Sequence, residues 1–172
     1  MYKDFFDIME LTKKESKIMP DMIVKLYSLP KINYEKIEEL GATIRRPLAS
    51  EKTKVLDWIQ KNFSCSWADE CGVTFSFQPI STYIAVIEKK IVGFASYDAA
   101  CRNFFGPTGV KKEFQGKGIG KVLLLKSLAS MKEQGYAYGI IGGVGPEIFY
   151  TKTVGAVTIE GSDSGIYEPT LK

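Results

Sequence analysis

Three glycines at alternate positions, Gly116, Gly118 and Gly120, stand where a strand-like stretch gives way to a helical one. They constrain this chain more than any other feature. The run reads Val110-Lys-Lys-Glu-Phe-Gln-Gly-Lys-Gly-Ile-Gly-Lys121 and leads into the apolar Val122, Leu123, Leu124 and Leu125. Glycine lets a backbone turn tightly and approach a ligand with no Cβ in the way. The helix that follows begins with unpaired N–H groups and a partial positive charge aimed into the turn. Together these make an anion site, and a diphosphate is the ligand that suits it best.

Two common phosphate motifs are excluded by spacing. A P-loop needs Gly, four residues, then Gly-Lys-Ser/Thr, but Gln115 occupies the first position and Val122 the last. The dinucleotide pattern Gly-x-Gly-x-x-Gly would need glycine at Lys121 or Leu123. What fits is Gln115-x-x-Gly118-x-Gly120, which resembles the signature of the GNAT superfamily of acyl-CoA-dependent N-acyltransferases. A second local match is Phe149-Tyr150 followed by Gly155-Ala156, although that spacer is one residue longer than the usual pattern. The Asn often found before that helix is replaced by the run Gly142-Gly-Val-Gly-Pro146. The resemblance implies acetyl-CoA as co-substrate, with its pyrophosphate on the backbone of the glycine turn. The cofactor set carried over is Val110, Lys111, Lys112, Gln115, Gly116, Lys117, Gly118, Ile119, Gly120 and Lys121.

Composition narrows the chemistry further. The chain has no histidine, which removes Ser-His-Asp and Cys-His catalysis and most catalytic zinc sites, so no metal is expected. Cys65, Cys71 and Cys101 lack CxxC spacing and read as idle thiols in a reducing compartment. The net charge of +3 comes without a dense basic stripe, which argues against nucleic acid. No run approaches the ~18 apolar residues that would span a bilayer, and Met1 to Asp7 is too acidic for a signal peptide. A cytoplasmic protein without a membrane partner is expected.

Residues 1–41 read as a helical N-terminal extension to a domain over 42–172. Asp21 caps a helix over Met22–Tyr27, Pro30 stops it, and Asn33 caps another over Tyr34–Leu40. Packing on the main domain, a lid over the acceptor site and homodimerisation are the roles open to this extension. Strands are predicted at Ala42–Arg46, Thr82–Glu88, Ile91–Ala100, Phe104–Lys112, Tyr136–Gly142 and Val154–Glu160, with another at Gly165–Glu168. Helices are predicted from Ser50 to Phe63, at Trp67–Cys71 under a Ser66 cap, from Gly118 to Gln134, and after Pro146. Pro107 and Gly109 should make their strand bulge or stand partly free of a neighbour. The order β-α-α-β-β-β-α-β-α-β-β follows from the pattern alone. It describes an α/β fold with a mixed, mostly antiparallel sheet flanked by helices on both faces, and it matches the GNAT order.

Acyl transfer to an amine needs a grip on the diphosphate, registration of the pantetheine arm, polarisation of the thioester and a route for protons. The free edge left by Pro107 and Gly109 can pair with pantetheine amides. The resemblance assigns carbonyl polarisation to a backbone N–H near Val110, and the acid for the leaving thiolate to Tyr150. Asp98, Glu70, Glu113 or water are the candidates for general base. The aromatics Trp58, Trp67, Phe75, Phe77 and Tyr83 divide between core and acceptor pocket. The resulting expectation is an acetyl-CoA-dependent N-acetyltransferase acting directly on a primary amine of a small molecule or peptide. The competing expectation is a CoA-binding sensor or interaction module without transferase activity.

Overall fold

A seven-stranded open sheet forms the body of the computed structural model, which describes residues 19–163 and 165–167. The first part of the predicted extension, residues 1–18, and Glu168 lie outside the described residues. The strands are β1 Met22–Lys25, β2 Thr43–Arg45, β3 Thr82–Ile87, β4 Lys90–Tyr97, β5 Phe104–Val110, β6 Tyr138–Ile141 and β7 Val157–Thr158. Their order across the sheet is β2-β3-β4-β5-β6-β1-β7. Every neighbouring pair is antiparallel except β5 and β6. The helices are α1 Glu35–Glu39, α2 Lys52–Asn62, α3 Cys65–Thr74, α4 Ile119–Glu133 and α5 Glu147–Val154.

The helix predicted over Met22–Tyr27 is instead strand β1, continued by a 3-10 turn at Leu26–Ser28. Its four residues wedge between β6 and β7, Ile23 lying opposite both Ile140 and Val157. Met22 and Val24 are almost fully buried while Lys25 is exposed, a two-residue period too short to beat the helical reading of the same apolar positions. Ladders to two remote strands decided the matter. The α1 cap follows expectation, with Asn33 Oδ1 accepting from the Glu35 N–H at 2.8 Å.

Other predicted boundaries moved for local reasons. Ser64, not Ser66, caps α3 by accepting from the Trp67 N–H at 3.2 Å, and the helix runs on to Thr74. A 3-10 turn at Ala49–Glu51 precedes α2. There Glu51 accepts from the Leu48 N–H and from both terminal nitrogens of Arg45, each at 2.7 Å. The strand predicted at Val154–Glu160 shrinks to Val157–Thr158 because α5 runs through Val154 and ends on Gly155, whose φ is +63°. Gly165–Tyr167 is a 3-10 turn rather than a strand.

Two cores cover the two faces of the sheet. On one, Leu123, Leu124, Leu128 and Met131 of α4 join Tyr97, Phe105, Ile141, β1's Met22 and Val24, and Tyr150 of α5. On the other, Val55 and Ile59 of α2 and Ala68 and Cys71 of α3 bury Ile84 and Phe94. Trp58, Phe63 and Trp67 interlock with Phe94 at centroid separations of 5.4–6.3 Å. Trp58 and Trp67 are therefore partly buried against this core. Leu123 is fully buried because it packs against β4 at Gly93, where a Cβ would stand 3.2 Å from Leu123 Cδ1.

Candidate active site

The site begins where β5 loses its neighbour. β5 pairs with β6 only at Phe104 with Ile140 and Phe105 with Ile141. Beyond Ile141 the Gly143 N–H donates to Asp21 Oδ1 at 2.9 Å and the Val144 N–H to the Pro20 carbonyl at 2.9 Å. The chain after β6 thus follows the segment before β1, β5 stays with β4, and a gap opens between them. On the β4 side, two steps from Ala95 to Tyr97 match three from Thr108 to Phe105, so an extra residue bulges at Gly106–Pro107. Both the bulge and the partial freedom expected from Pro107 are present.

Alternation along β5 decides which amides face the gap. Lys111 donates to the Val92 carbonyl at 2.9 Å, so its polar groups face β4. Val110 and Thr108 must then point their N–H and C=O away from β4, into the gap. The Val110 carbonyl accepts from Gln115 Nε2 at 3.0 Å, which pins the start of the glycine turn to the end of the strand. Gln115 acts here as a brace.

The turn itself is open. Gly116 and Gly118 adopt φ of +75° and +88°, a region that L side chains rarely enter, and a Cβ at Gly116 would meet nothing within 4 Å. The amides of residues 116 to 121 find no acceptor among the described residues, and α4's ladder starts with the Val122 N–H on the Gly118 carbonyl. Val110, Phe114, Gln115, Gly116, Gly118, Gly120, Lys121 and Phe149 line a cleft of about 340 Å³. Lys117 Nζ sits 5.3 Å from the centre of the Phe114 ring. Lys111 Nζ pairs with Glu113 at 2.5 Å, and Lys112 is exposed beside it. Lys36 of α1 was not visible as a site residue. Its Cβ and Cδ lie 3.8 and 3.9 Å from where a Cβ on Gly118 would stand. Nothing in the sequence joins Lys36 to a turn eighty residues away.

Tyr150 stands on the α4 face, edge-on to Phe149 at 5.0 Å and Phe105 at 6.4 Å. Burial pushes its phenol up to about 12. Among the candidate bases, Asp98 is engaged by the β4–β5 turn, accepting from the Asn103 N–H at 2.7 Å and the Tyr136 hydroxyl at 3.3 Å. Glu113 is held below the usual carboxylate range by its hydrogen bond from Lys111. Glu70 differs from both. It has no hydrogen-bond or ion-pair partner among the described residues, and burial pushes its carboxyl up. Cys71 is buried with its thiol pushed up by burial, while Cys65 and Cys101 are exposed. Among the described residues no group of three metal-ligating side chains exists, and no helix is long and apolar enough to cross a membrane.

The fold has counterparts among solved structures. The chain superposes on the GCN5-related glucosamine N-acetyltransferase region of a fungal multi-domain GH3 β-N-acetylglucosaminidase with a TM-score of 0.69 and 14% identity, over 92% of this chain and 22% of that one. A GCN5-related N-acetyltransferase from Sphaerobacter thermophilus gives 0.59 at 17% identity, over 90% of this chain and 53% of its own. Another from Kribbella flavida gives 0.56 at 14%, over 83% and 55%. These identities speak for fold alone, and the chain spans between about a fifth and about half the length of these proteins. No curated protein matches the sequence. A family model does match, over residues 52–145, more than half of the chain and the whole stretch from α2 to the loop after β6. The chain therefore belongs to the acetyltransferase (GNAT) family.

Proposed function

We propose that the protein transfers an acetyl group from acetyl-CoA to a primary amine by direct attack. The observation that carries this reading is the row of six backbone amides, residues 116 to 121, left without acceptors among the described residues beside a strand edge that faces an open gap. Amides of this kind suit a diphosphate, and Lys117, Lys121 and Lys36 add charge around it. The pantetheine arm then extends from the turn along β5. Val110 lines the same cleft as the turn, too near the diphosphate to reach the thioester at the far end of that arm. Its N–H serves the arm instead. We place the donor to the thioester carbonyl at Thr108, whose N–H faces the same way about 7 Å nearer the point where the strands part. An oxyanion donor of this kind is worth roughly 2.7–4 kcal/mol.

The two faces of the sheet divide the chemistry. The amine enters from the α3 face as an ammonium ion and gives its proton to Glu70, whose carboxyl burial makes more basic than an ordinary carboxylate. The nitrogen lone pair attacks the carbonyl carbon, negative charge gathers on oxygen against Thr108, and collapse breaks the C–S bond. Tyr150 approaches from the α4 face. A phenol near 12 lies about 3.5 units above an ordinary thiol at ~8.5, so full proton transfer to the thiolate is uphill by roughly 5 kcal/mol. Tyr150 therefore donates a hydrogen bond to the departing sulfur, and water carries the second proton, which the nitrogen releases as the amide forms, to the thiolate.

The test is CoA release followed with a thiol reagent across a panel of primary amines. Release that depends on the amine, without a burst, is expected. Tight CoA binding with no turnover on any amine would point instead to a CoA-binding module.

A further inference from the structure

We propose that Tyr167, in the turn that closes the described chain, binds the acceptor amine at the point where β5 and β6 part. This rests on the acetyl-transfer reading above and adds the acceptor side to it.

Successive strand residues face opposite sides of a sheet. Phe105 meets Tyr150 on the α4 face, so Phe104 turns to the other. There a Cβ on Gly142 would stand 2.9 Å from Phe104 Cδ1 and 3.3 Å from the Tyr167 hydroxyl oxygen. Gly143, next in the chain, would place its Cβ 3.5 Å from Tyr167 Cε2. The phenol thus lies across the last residues before the gap, on the face away from Tyr150, and two glycines make room for it. Burial, then the neighbouring Glu70, Asp21 and Cys101, push the phenol up to about 12, so it stays protonated at any working pH.

The turn is held there by a network from the opposite end of the chain. The Asp21 N–H donates to Ser162 Oγ at 2.9 Å, and its carboxylate takes the Gly143 N–H. Ser162 Oγ donates to the Ile159 carbonyl at 2.6 Å, the Ile159 N–H donates to the Asp21 carbonyl at 2.8 Å, and the Gly165 N–H donates to the Ser162 carbonyl at 3.0 Å. Tyr167 ends a 3-10 turn that follows directly on the segment these bonds tie to the start of β1. Its oxygen accepts an N–H of the amine and turns the nitrogen lone pair toward the thioester, while Glu70, which acts on the same phenol, receives the proton. The Asp21 carboxylate, which takes the Gly143 N–H beside the Tyr167 ring, favours an aliphatic ammonium group and disfavours an amine with a carboxylate on the adjacent carbon.

Steady-state kinetics with acetyl-CoA and either 1,4-diaminobutane or alanine, on wild type and Tyr167→Phe, test this. The diamine is expected to have the higher kcat/KM. The substitution should raise its KM at least about fivefold while the KM for acetyl-CoA and the melting temperature stay unchanged. An unchanged diamine KM in Tyr167→Phe, or a preference for alanine, overturns the proposal. So does an absence of diamine turnover in a protein that binds CoA by calorimetry, since that result leaves the cofactor side standing alone. Failure of the wild type to bind CoA would instead sink the acetyl-transfer reading itself.

Discussion

The two sides of the gap between β5 and β6 are built in opposite ways. The cofactor side comes from one continuous run, Thr108 to Lys121, in which a bulged strand, a braced turn and a helix start follow one another directly. The acceptor side is gathered from Asp21, Glu70, Phe104, Gly142 and Tyr167, which span most of the chain. Diphosphate recognition needs backbone amides in a fixed local arc, which a short motif can encode. Amine recognition needs side chains converging from several directions, which only packing supplies. On the proposed reading the first side is generic to acyl-CoA chemistry, and the second is where the choice of acceptor resides.

If the two sides are separable, substitutions should divide cleanly between cofactor affinity and turnover. The largest effect is expected from Gly118→Val. A side chain at φ +88° costs about 1–2 kcal/mol of strain and displaces the amide arc, so CoA affinity should fall by about 100-fold in calorimetry while circular dichroism stays native. Undiminished affinity would remove the turn from the site.

Glu70→Gln should leave CoA affinity intact and lower turnover by about 100-fold. Its pH behaviour sharpens the distinction. Glu70 acts as a base only when ionised, and its folded carboxyl is raised, so the acidic limb of the wild-type kcat/KM profile should lie above the ordinary carboxylate range and vanish in the variant. The stability sign runs the other way. A carboxyl raised by folding stabilises the protein below its unfolded value and loses that contribution as pH rises through the folded one. Glu70→Gln should therefore melt higher than wild type at neutral pH, and a lower melting point would argue against a strained functional carboxylate.

Tyr150→Phe should cost about tenfold in turnover, the worth of one hydrogen bond to a charged sulfur, with CoA affinity nearly unchanged. Equal activity would take Tyr150 out of the mechanism. The smallest effect is expected from Lys36→Ala, about threefold in CoA affinity because the lysine is exposed and screened. Lys36→Arg should restore it. A change in kcat without one in affinity would show that α1 acts on the acceptor side, and the comparison would need redrawing.

Legibility in the sequence followed the same division. The glycine turn, the break at Pro107 and the helix after Pro146 were all readable, because each depends on φ preferences or missing donors at neighbouring residues. Strand β1 was misread, since four residues carry too little period to compete with a helical pattern. Among the three candidate bases, sequence had no means of choosing. Burial and partnership separated them, leaving Asp98 to a turn, Glu113 to Lys111 and Glu70 without a partner.

What the sequence by itself determined is the local chemistry of residues 108–121 and the alternation of strands and helices around it, because those follow from backbone sterics and short-range periodicity. Tertiary structure alone decided that a strand from the start of the chain lies between β6 and β7. It also decided that Lys36 reaches the glycine turn and that Tyr167 meets Phe104 and Gly142 where the sheet opens. Those contacts join residues far apart in the chain, and their partners are set by which buried surfaces and ladder hydrogen bonds can be satisfied together, a condition no local stretch records.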